Sequence, residues 1–187
     1  MARERAFTLV ELLVTLAVAA VLAVTVIPSF SDLVRDQRLI ALSNRFNASL
    51  QLARAEAIKG GWEVVICKRN RTLRCDASAG WHQGWMIFRD NNRDRHCEDG
   101  DGDGTCDGDS GEIVRASGAV TGGLAIDAGA GNTATRIVYE PTGFADGYPG
   151  TFTFCDARGI AHARGLVLSM TGRLRQADPS TDSLQCP

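Results

Sequence analysis

The residues whose spacing suggests the most chemistry lie near the C-terminus, in Gly172-Arg173-Leu174-Arg175. Along an extended strand, side chains at i and i+2 point the same way, about 7 Å apart, close to the separation of successive phosphates on one DNA strand. Arginine suits phosphate because its planar fork presents two parallel N–H donors. Such a pair would hold backbone phosphates and leave base edges unread, so binding would ignore sequence and weaken with salt. Arg164, Arg158 and Lys68 or Arg69 extend the patch if the fold gathers them. The plainer reading is a solvated strand face, since 18 of the 20 basic residues are arginine.

A second constellation is acidic. Between Asp90 and Glu112 nine acidic residues stand against two basic ones, a net −7 within a chain whose total is −2. The twelve residues from Asp101 to Glu112 offer oxygen ligands at Asp101, Asp103, Thr105, Asp107 and Asp109 and end on a glutamate, much as a calcium loop does. Such a loop wants glycine sixth, where this one has Cys106. A second partial match at Asp90-Asn91-Asn92-Arg93-Asp94 has Arg95 there. Calcium held by Asp101, Asp103, Asp107, Asp109 and Glu112 would relieve the mutual repulsion. The alternative is a solvated acidic hairpin, which would oppose DNA if it shared a face with the arginines. No other cofactor is expected.

Six cysteines with no CxxC pair point to an oxidising compartment and allow fifteen pairings. Proximity in sequence favours Cys67–Cys75 and Cys97–Cys106, which leaves Cys155–Cys186 to tie the C-terminus to the rest. Zinc is the competing use, but the spacings are not those of zinc sites and no histidine sits in register. His82, His96 and His162 meet no serine or cysteine nucleophile motif. Neither a phosphate loop nor HExxH is present, so an enzyme is not expected.

The elements that would position these residues follow from patterning. A chain of 187 residues, 44% hydrophobic and 22% charged, is one domain's worth and is neither disordered nor a multidomain enzyme by composition. Residues 1–6 form a short leader carrying Arg3 and Arg5. Residues 7–27 follow, with Glu11 as their one charge; as a helix they would span roughly 31 Å, a bilayer's hydrocarbon thickness. The arginines before this run predict a cytoplasmic N-terminus, with all that follows Pro28 outside. A secretory signal peptide is the alternative, and Ala17-Val18-Ala19 offers small residues for cleavage. Against it stand the brevity of the leader and the carboxylate of Glu11, which unpaired in lipid costs roughly 2.5 kcal/mol or more. Glu11 should have a partner.

Residues 28–60 turn amphipathic. Leu39, Leu42, Phe46, Leu50, Ala53 and Ala57 form one helical stripe, and Gly60-Gly61 is a natural stop. Residues 61–187 read as a β-rich head. The candidate strands are Trp62–Cys67, Trp85–Arg89, Glu112–Ala116, Arg136–Tyr139, Thr151–Cys155 and Gly165–Met170, with a short strand near Leu124-Ala125-Ile126. The expected class is α+β: a long N-terminal helix laid against a small antiparallel sheet.

At Ala6-Phe7-Thr8-Leu9-Val10-Glu11-Leu12-Leu13 the chain resembles the N-terminus of type IV pilins and pseudopilins. The resemblance implies that a prepilin peptidase cuts between Ala6 and Phe7 and that Phe7 is N-methylated. It also implies that Glu11 pairs with the terminal amine of a neighbouring subunit, and that Pro28 marks the place where pilin helices bend or lose hydrogen bonds. Ala6 departs from the family's usual glycine before the cut. Within pilins, Leu52-Ala53-Arg54-Ala55-Glu56-Ala57, Gly84-Trp85-Met86-Ile87-Phe88, the Asp/Asn-rich loop with Gly111-Glu112, and Gly172-Arg173-Leu174-Arg175 are similar to the GspH/FimT group.

That resemblance implies a pilin fold, a single-pass inner-membrane protein with its head in the periplasm, later part of an extracellular pilus, and other minor and major pilins as partners. It also associates Gly172, Arg173 and Arg175 with double-stranded DNA during natural transformation, a patch that Arg164 extends if the fold gathers it. A bridge between Cys155 and Cys186 resembles the C-terminal disulfide of minor pilins. Two alternatives stay open: a purely structural FimU-like tip subunit for adhesion or twitching motility, and a GspH-type pseudopilin of type II secretion.

Overall fold

The computed structural model describes residues 8–107, 111–145 and 147–187, and side chains throughout these except at 23–29. One helix, α1, runs Leu9–Gly60. Position 28 falls within it, and the Pro28 side chain is outside the described residues, as are Ala6, Phe7 and Asp109. The chain divides into two units at Arg38/Leu39, inside α1.

In the first unit, Leu9, Val10, Leu12, Leu13, Val14, Leu16, Val18, Val21 and Leu22 are each more than half exposed. The backbone N–H of Glu11 donates to Thr8 Oγ1 at 3.3 Å. Among the described residues no helix is long and apolar enough to cross a membrane; Phe7 and the side chains of 23–27, part of the expected span, lie outside them.

The second unit is the head. The stripe from Leu39 to Ala57 is buried along its length, with no residue above 4% exposure. It packs with two four-stranded antiparallel sheets, where the sequence predicts one small sheet. The first joins β1 (Glu63–Lys68), β3 (Trp85–Asp90), β5 (Ile113–Ser117) and β7 (Arg136–Tyr139) in the order β5-β3-β1-β7. The second joins β6 (Ala125–Asp127), β8 (Gly150–Cys155), β9 (Arg164–Leu168) and β10 (Leu174–Gln176) in the order β10-β9-β8-β6. A two-residue ribbon pairs β2 (Leu73–Arg74) with β4 (Glu98–Asp99).

Phe46 of α1 locks the layers together. Its ring lies 5.1 Å from Trp85 of β3, 4.9 Å from Phe152 of β8 and 5.4 Å from Trp81. The pairs with Trp85 and Trp81 are edge-on, and such pairs at these distances add to the burial of large rings. Trp85 Nε1 donates to Ser49 Oγ at 2.9 Å, so the indole's one donor is satisfied by the helix it packs against. All six cysteines are bridged, as Cys67–Cys75, Cys97–Cys106 and Cys155–Cys186, with Cα separations of 5.6, 5.0 and 5.9 Å.

Candidate nucleic-acid interface

The arginine motif opens on a turn. β9 ends at Leu168, short of the predicted Met170, because Ser169 N–H donates to the Arg173 carbonyl at 3.0 Å and Arg173 N–H returns to Ser169 Oγ at 3.2 Å. Gly172 sits in that turn at φ +73°, and a Cβ there would collide with the carbonyl oxygen of Gly143. Glycine is therefore required for shape, by backbone conformation and by close approach together. Arg54 of α1 fixes this corner: its Nε donates to Gly143 O at 2.9 Å and one terminal nitrogen to Thr171 O at 3.2 Å. Sequence reading named Arg54 only within Leu52-Ala53-Arg54-Ala55-Glu56-Ala57 and missed this tie.

Past the turn the chain enters β10, with Leu174 opposite Leu168 and Arg175 opposite Val167. Arg173 thus precedes the strand and Arg175 lies within it, so the extended pair expected from the motif is only half formed. The Arg173 side chain is exposed, and among the described residues nothing pairs with its guanidinium. Arg175 is held at both terminal nitrogens by the two oxygens of Asp182, at 2.6 and 2.7 Å. Asp182 also accepts the Asp178 N–H at 2.8 Å. The Arg175 hydrogen bonds, with that backbone bond second, hold the Asp182 carboxyl at about 2.

Beside the motif lies a groove of about 320 Å³ between α1 and the strands β9 and β10. From α1 it is lined by Ile40, Ser43, Asn44 and Asn47, a polar stripe next to the buried one. Arg164, Leu166, Leu174, Arg175 and Gln176 are among those completing it from the sheet. Arg164 is half-buried, and its guanidinium has no partner among the described residues. Asn47 Oδ1 is buried, and among the described residues it has no hydrogen-bond partner. The other expected extensions are committed elsewhere. Arg158 pairs with Asp156 at 2.8 Å. Lys68 is buried in β1, and Arg69 donates to the carbonyls of Ser117 and Thr72 at 3.3 Å.

The acidic loop assembles differently from the expected ligand set. Asp99, Asp101 and Asp107 each bring a carboxylate oxygen within 4.8 Å of the other two; Asp99 was not among the residues singled out from sequence. Asp103 instead accepts from Thr105 N–H and Oγ1 at 2.7 and 2.6 Å, bonds that hold its carboxyl below the usual range. Glu112 pairs with Arg89, whose guanidinium also stacks 4.7 Å from the Trp62 ring and reaches Glu56 at 3.4 Å. Asp99 takes N–H bonds from Gly102 and Gly104 at 2.6 and 3.0 Å, and Asp107 one from Gly100 at 2.8 Å. These carboxylates hold the loop's own backbone.

Comparison with known proteins agrees with this architecture. Residues 42–172 match the family described as Type II transport protein GspH, and residues 1–27 the prokaryotic N-terminal methylation motif. No curated protein sequence matches the chain. Among solved structures it is similar to the type IV minor pilin FimU of Pseudomonas aeruginosa (strain PAO1). The identity is 21%, the TM-score 0.55, and 81% of this chain and 96% of that one are covered. A second crystal form of FimU gives 20% identity, a TM-score of 0.53 and coverage of 79% and 98%. The minor pseudopilin EpsH from the Type 2 Secretion System of Vibrio cholerae is 15% identical at a TM-score of 0.48, covering 76% of this chain and 98% of that one. At these identities the two FimU structures speak for the fold alone. With a family match across most of the head and a methylation motif across the first residues, the chain belongs to the GspH family of type IV minor pilins and pseudopilins.

Proposed function

We propose that this chain is a minor subunit of a type IV pilus that helps to initiate or cap assembly, and that its head binds DNA for uptake. The observation that carries the assembly reading is the union, in one chain, of a methylation motif at 1–27 and a GspH-family head at 42–172. In this reading prepilin peptidase cuts between Ala6 and Phe7 and methylates Phe7. Residues 7–27 hold the chain in the inner membrane with the head in the periplasm, and Glu11 then pairs with the terminal amine of a neighbouring pilin. The row of exposed apolar side chains from Leu9 to Leu22 supports it, since such a surface needs lipid or neighbouring helices to cover it. Other minor and major pilins are the partners, and the role is structural rather than catalytic.

Mass spectrometry of the protein recovered from membranes tests the processing. The expected N-terminus is Phe7 carrying one methyl group. Recovery of chains beginning at Ala20, just after Ala17-Val18-Ala19, would establish a secretory signal instead. Glu11→Ala is expected to leave the subunit in the membrane and abolish its incorporation into filaments.

The DNA reading rests on Arg173, exposed and unpaired among the described residues, with Arg164 and Arg175 on the adjoining groove. Titrating the full chain in detergent with double-stranded DNA at two salt concentrations tests it. Binding that weakens with salt and is reduced by Arg173→Gln supports it. Absence of salt-dependent binding leaves a purely structural tip subunit as the better account. The family's description as a type II transport protein favours one further reading, a pseudopilin of type II secretion. Loss of secretion with pili intact, on deletion, would select it.

A further inference from the structure

We infer that the open edge of β10, together with Arg164, is a docking slot for an extended, carboxylate-bearing segment of a neighbouring subunit, taken up as an added strand. The inference takes its partner from the assembly reading above and is independent of the DNA reading.

β10 ends its sheet: it pairs with β9, and among the described residues no strand pairs with its other side. The ladder decides which backbone groups face outward. Ala177 N–H donates to Gly165 O at 2.9 Å and Ser169 N–H to Arg173 O at 3.0 Å, so Arg173, Arg175 and Ala177 are the positions that bond to β9. Leu174 and Gln176 alternate with them and turn their N–H and C=O groups away from β9. Of these outward groups only the Gln176 carbonyl has a partner among the described residues, a terminal nitrogen of Arg175 at 3.3 Å. An edge that offers donors and acceptors in alternation matches another peptide backbone. The backbone of duplex DNA matches it poorly, since deoxyribose and phosphodiester groups offer acceptors alone.

The groove borders this edge. Its α1 wall, from Ile40 to Asn47, is about 10 Å long at the helical rise, room for about three extended residues against the three of β10. The C-terminal segment does not fill it. Phe152 and its partner Leu166 face α1, whereas that segment crosses the opposite face, with Leu184 against Gly165 and Gln185 N–H on Thr153 Oγ1 at 3.3 Å.

Arg164 sets the chemistry of the occupant. It stands two residues before Leu166 in β9, so its side chain leaves the strand on the α1 side. The guanidinium is half-buried and has no acceptor among the described residues. A peptide satisfies it with a carboxylate, which the fork takes at two nitrogens. Because Arg164 lies beyond the Leu166–Gln176 pair, the carboxylate belongs at the Gln176 end of the added strand. Three residues of edge make few hydrogen bonds, so this ion pair supplies much of the affinity and the specificity.

Fluorescence anisotropy tests the inference, with the full chain in detergent and a labelled, end-blocked peptide of alternating threonine and valine carrying a glutamate at each end. Replacing both glutamates by glutamine is expected to weaken binding about tenfold, and Arg164→Gln to weaken the glutamate peptide by about the same factor. The glutamine peptide with Arg164→Gln should lose no more than either change alone, since both remove one contact. Gln176→Pro removes an outward N–H and none of the ladder's, so it is expected to stay folded by melting and to bind the peptide several-fold more weakly. Hydrogen exchange at the Leu174 and Gln176 amides should slow when peptide is added, which gives the same reading without a substitution.

If the two peptides bind alike, or Arg164→Gln leaves the glutamate peptide unaffected, no carboxylate is recognised and the inference fails. It fails equally if Gln176→Pro binds normally and the two amides exchange at unchanged rates, because docking is then not strand addition. If no peptide binds, the slot is overturned, and a loss of DNA affinity in Arg164→Gln would assign the groove to the DNA face. The assembly reading survives each of these outcomes, since the methylated N-terminus and Glu11→Ala test it separately.

Discussion

Asp182 holds Arg175 by both of its terminal nitrogens, at 2.6 and 2.7 Å, so one of the two arginines of the motif already carries a carboxylate where a phosphate would sit. The contact is partly exposed and comes from the C-terminal segment tied to β8 by Cys155–Cys186. Any phosphate at Arg175 must displace it.

Asp182→Asn is therefore expected to strengthen DNA binding, by up to about fivefold, since an exposed ion pair is a weak competitor. The slope of log affinity against log salt should steepen by about 0.9 as one more phosphate contact becomes available. Unchanged affinity and slope would show that Arg175 takes no part in binding.

The same contact sets an acid limit on the head. The folded Asp182 carboxyl lies at about 2, below its ordinary 3.8. A depressed carboxyl contributes stability that is complete above the unfolded value and is lost as the pH falls through the folded one. The head is expected to weaken between roughly pH 4 and pH 2, with Asp103 and Asp178, both held low by hydrogen bonds, acting in the same direction. Asp182→Asn should flatten part of that loss, which melting as a function of pH would reveal.

Gly172→Ala should destabilise the head markedly. The new Cβ meets the Gly143 carbonyl and the backbone is held at φ +73°, so both strain and a clash arise at one atom. A loss of about 2–4 kcal/mol, or roughly 4–16 °C in melting temperature, is expected. Arg54→Ala should act at the same corner with a smaller loss, about 1–3 kcal/mol, by leaving the carbonyls of Gly143 and Thr171 without their donor. Because the two residues share a partner, the double variant should lose less than the sum of the singles.

Melting of the full chain is expected to be the same in calcium and in EDTA. Asp99, Asp103 and Asp107 accept backbone N–H groups from their own loop, and Glu112 is paired with Arg89. A rise in melting temperature specific to calcium would falsify this and make Asp99, Asp101 and Asp107 a cation site.

Much of the head could be read from patterning because its main elements bury regular faces. The stripe from Leu39 to Ala57 repeats at helical spacing, and the six longer strands carry enough apolar residues to be recognised. β2 and β4 have two residues each and β10 has three, too few for any period to show. The groove was missed for a related reason: Ile40, Ser43, Asn44 and Asn47 share a helix face, but three of the four are polar and look like solvated surface. Asp182 and Arg54 act through partners on other turns and strands, and Asp99 holds Gly102 and Gly104 from just outside the twelve-residue loop pattern. Nothing local in their sequence context marks them.

All three tryptophans, Trp62, Trp81 and Trp85, lie beyond the end of α1. Two of them touch the Phe46 ring and the third stacks on Arg89. Intrinsic fluorescence of this protein consequently reports on the head alone, while far-ultraviolet circular dichroism is dominated by the 52 residues of α1. Residues 39–60 of α1 belong to the head, so a circular dichroism transition that does not coincide with the fluorescence one would measure how independently the two units melt.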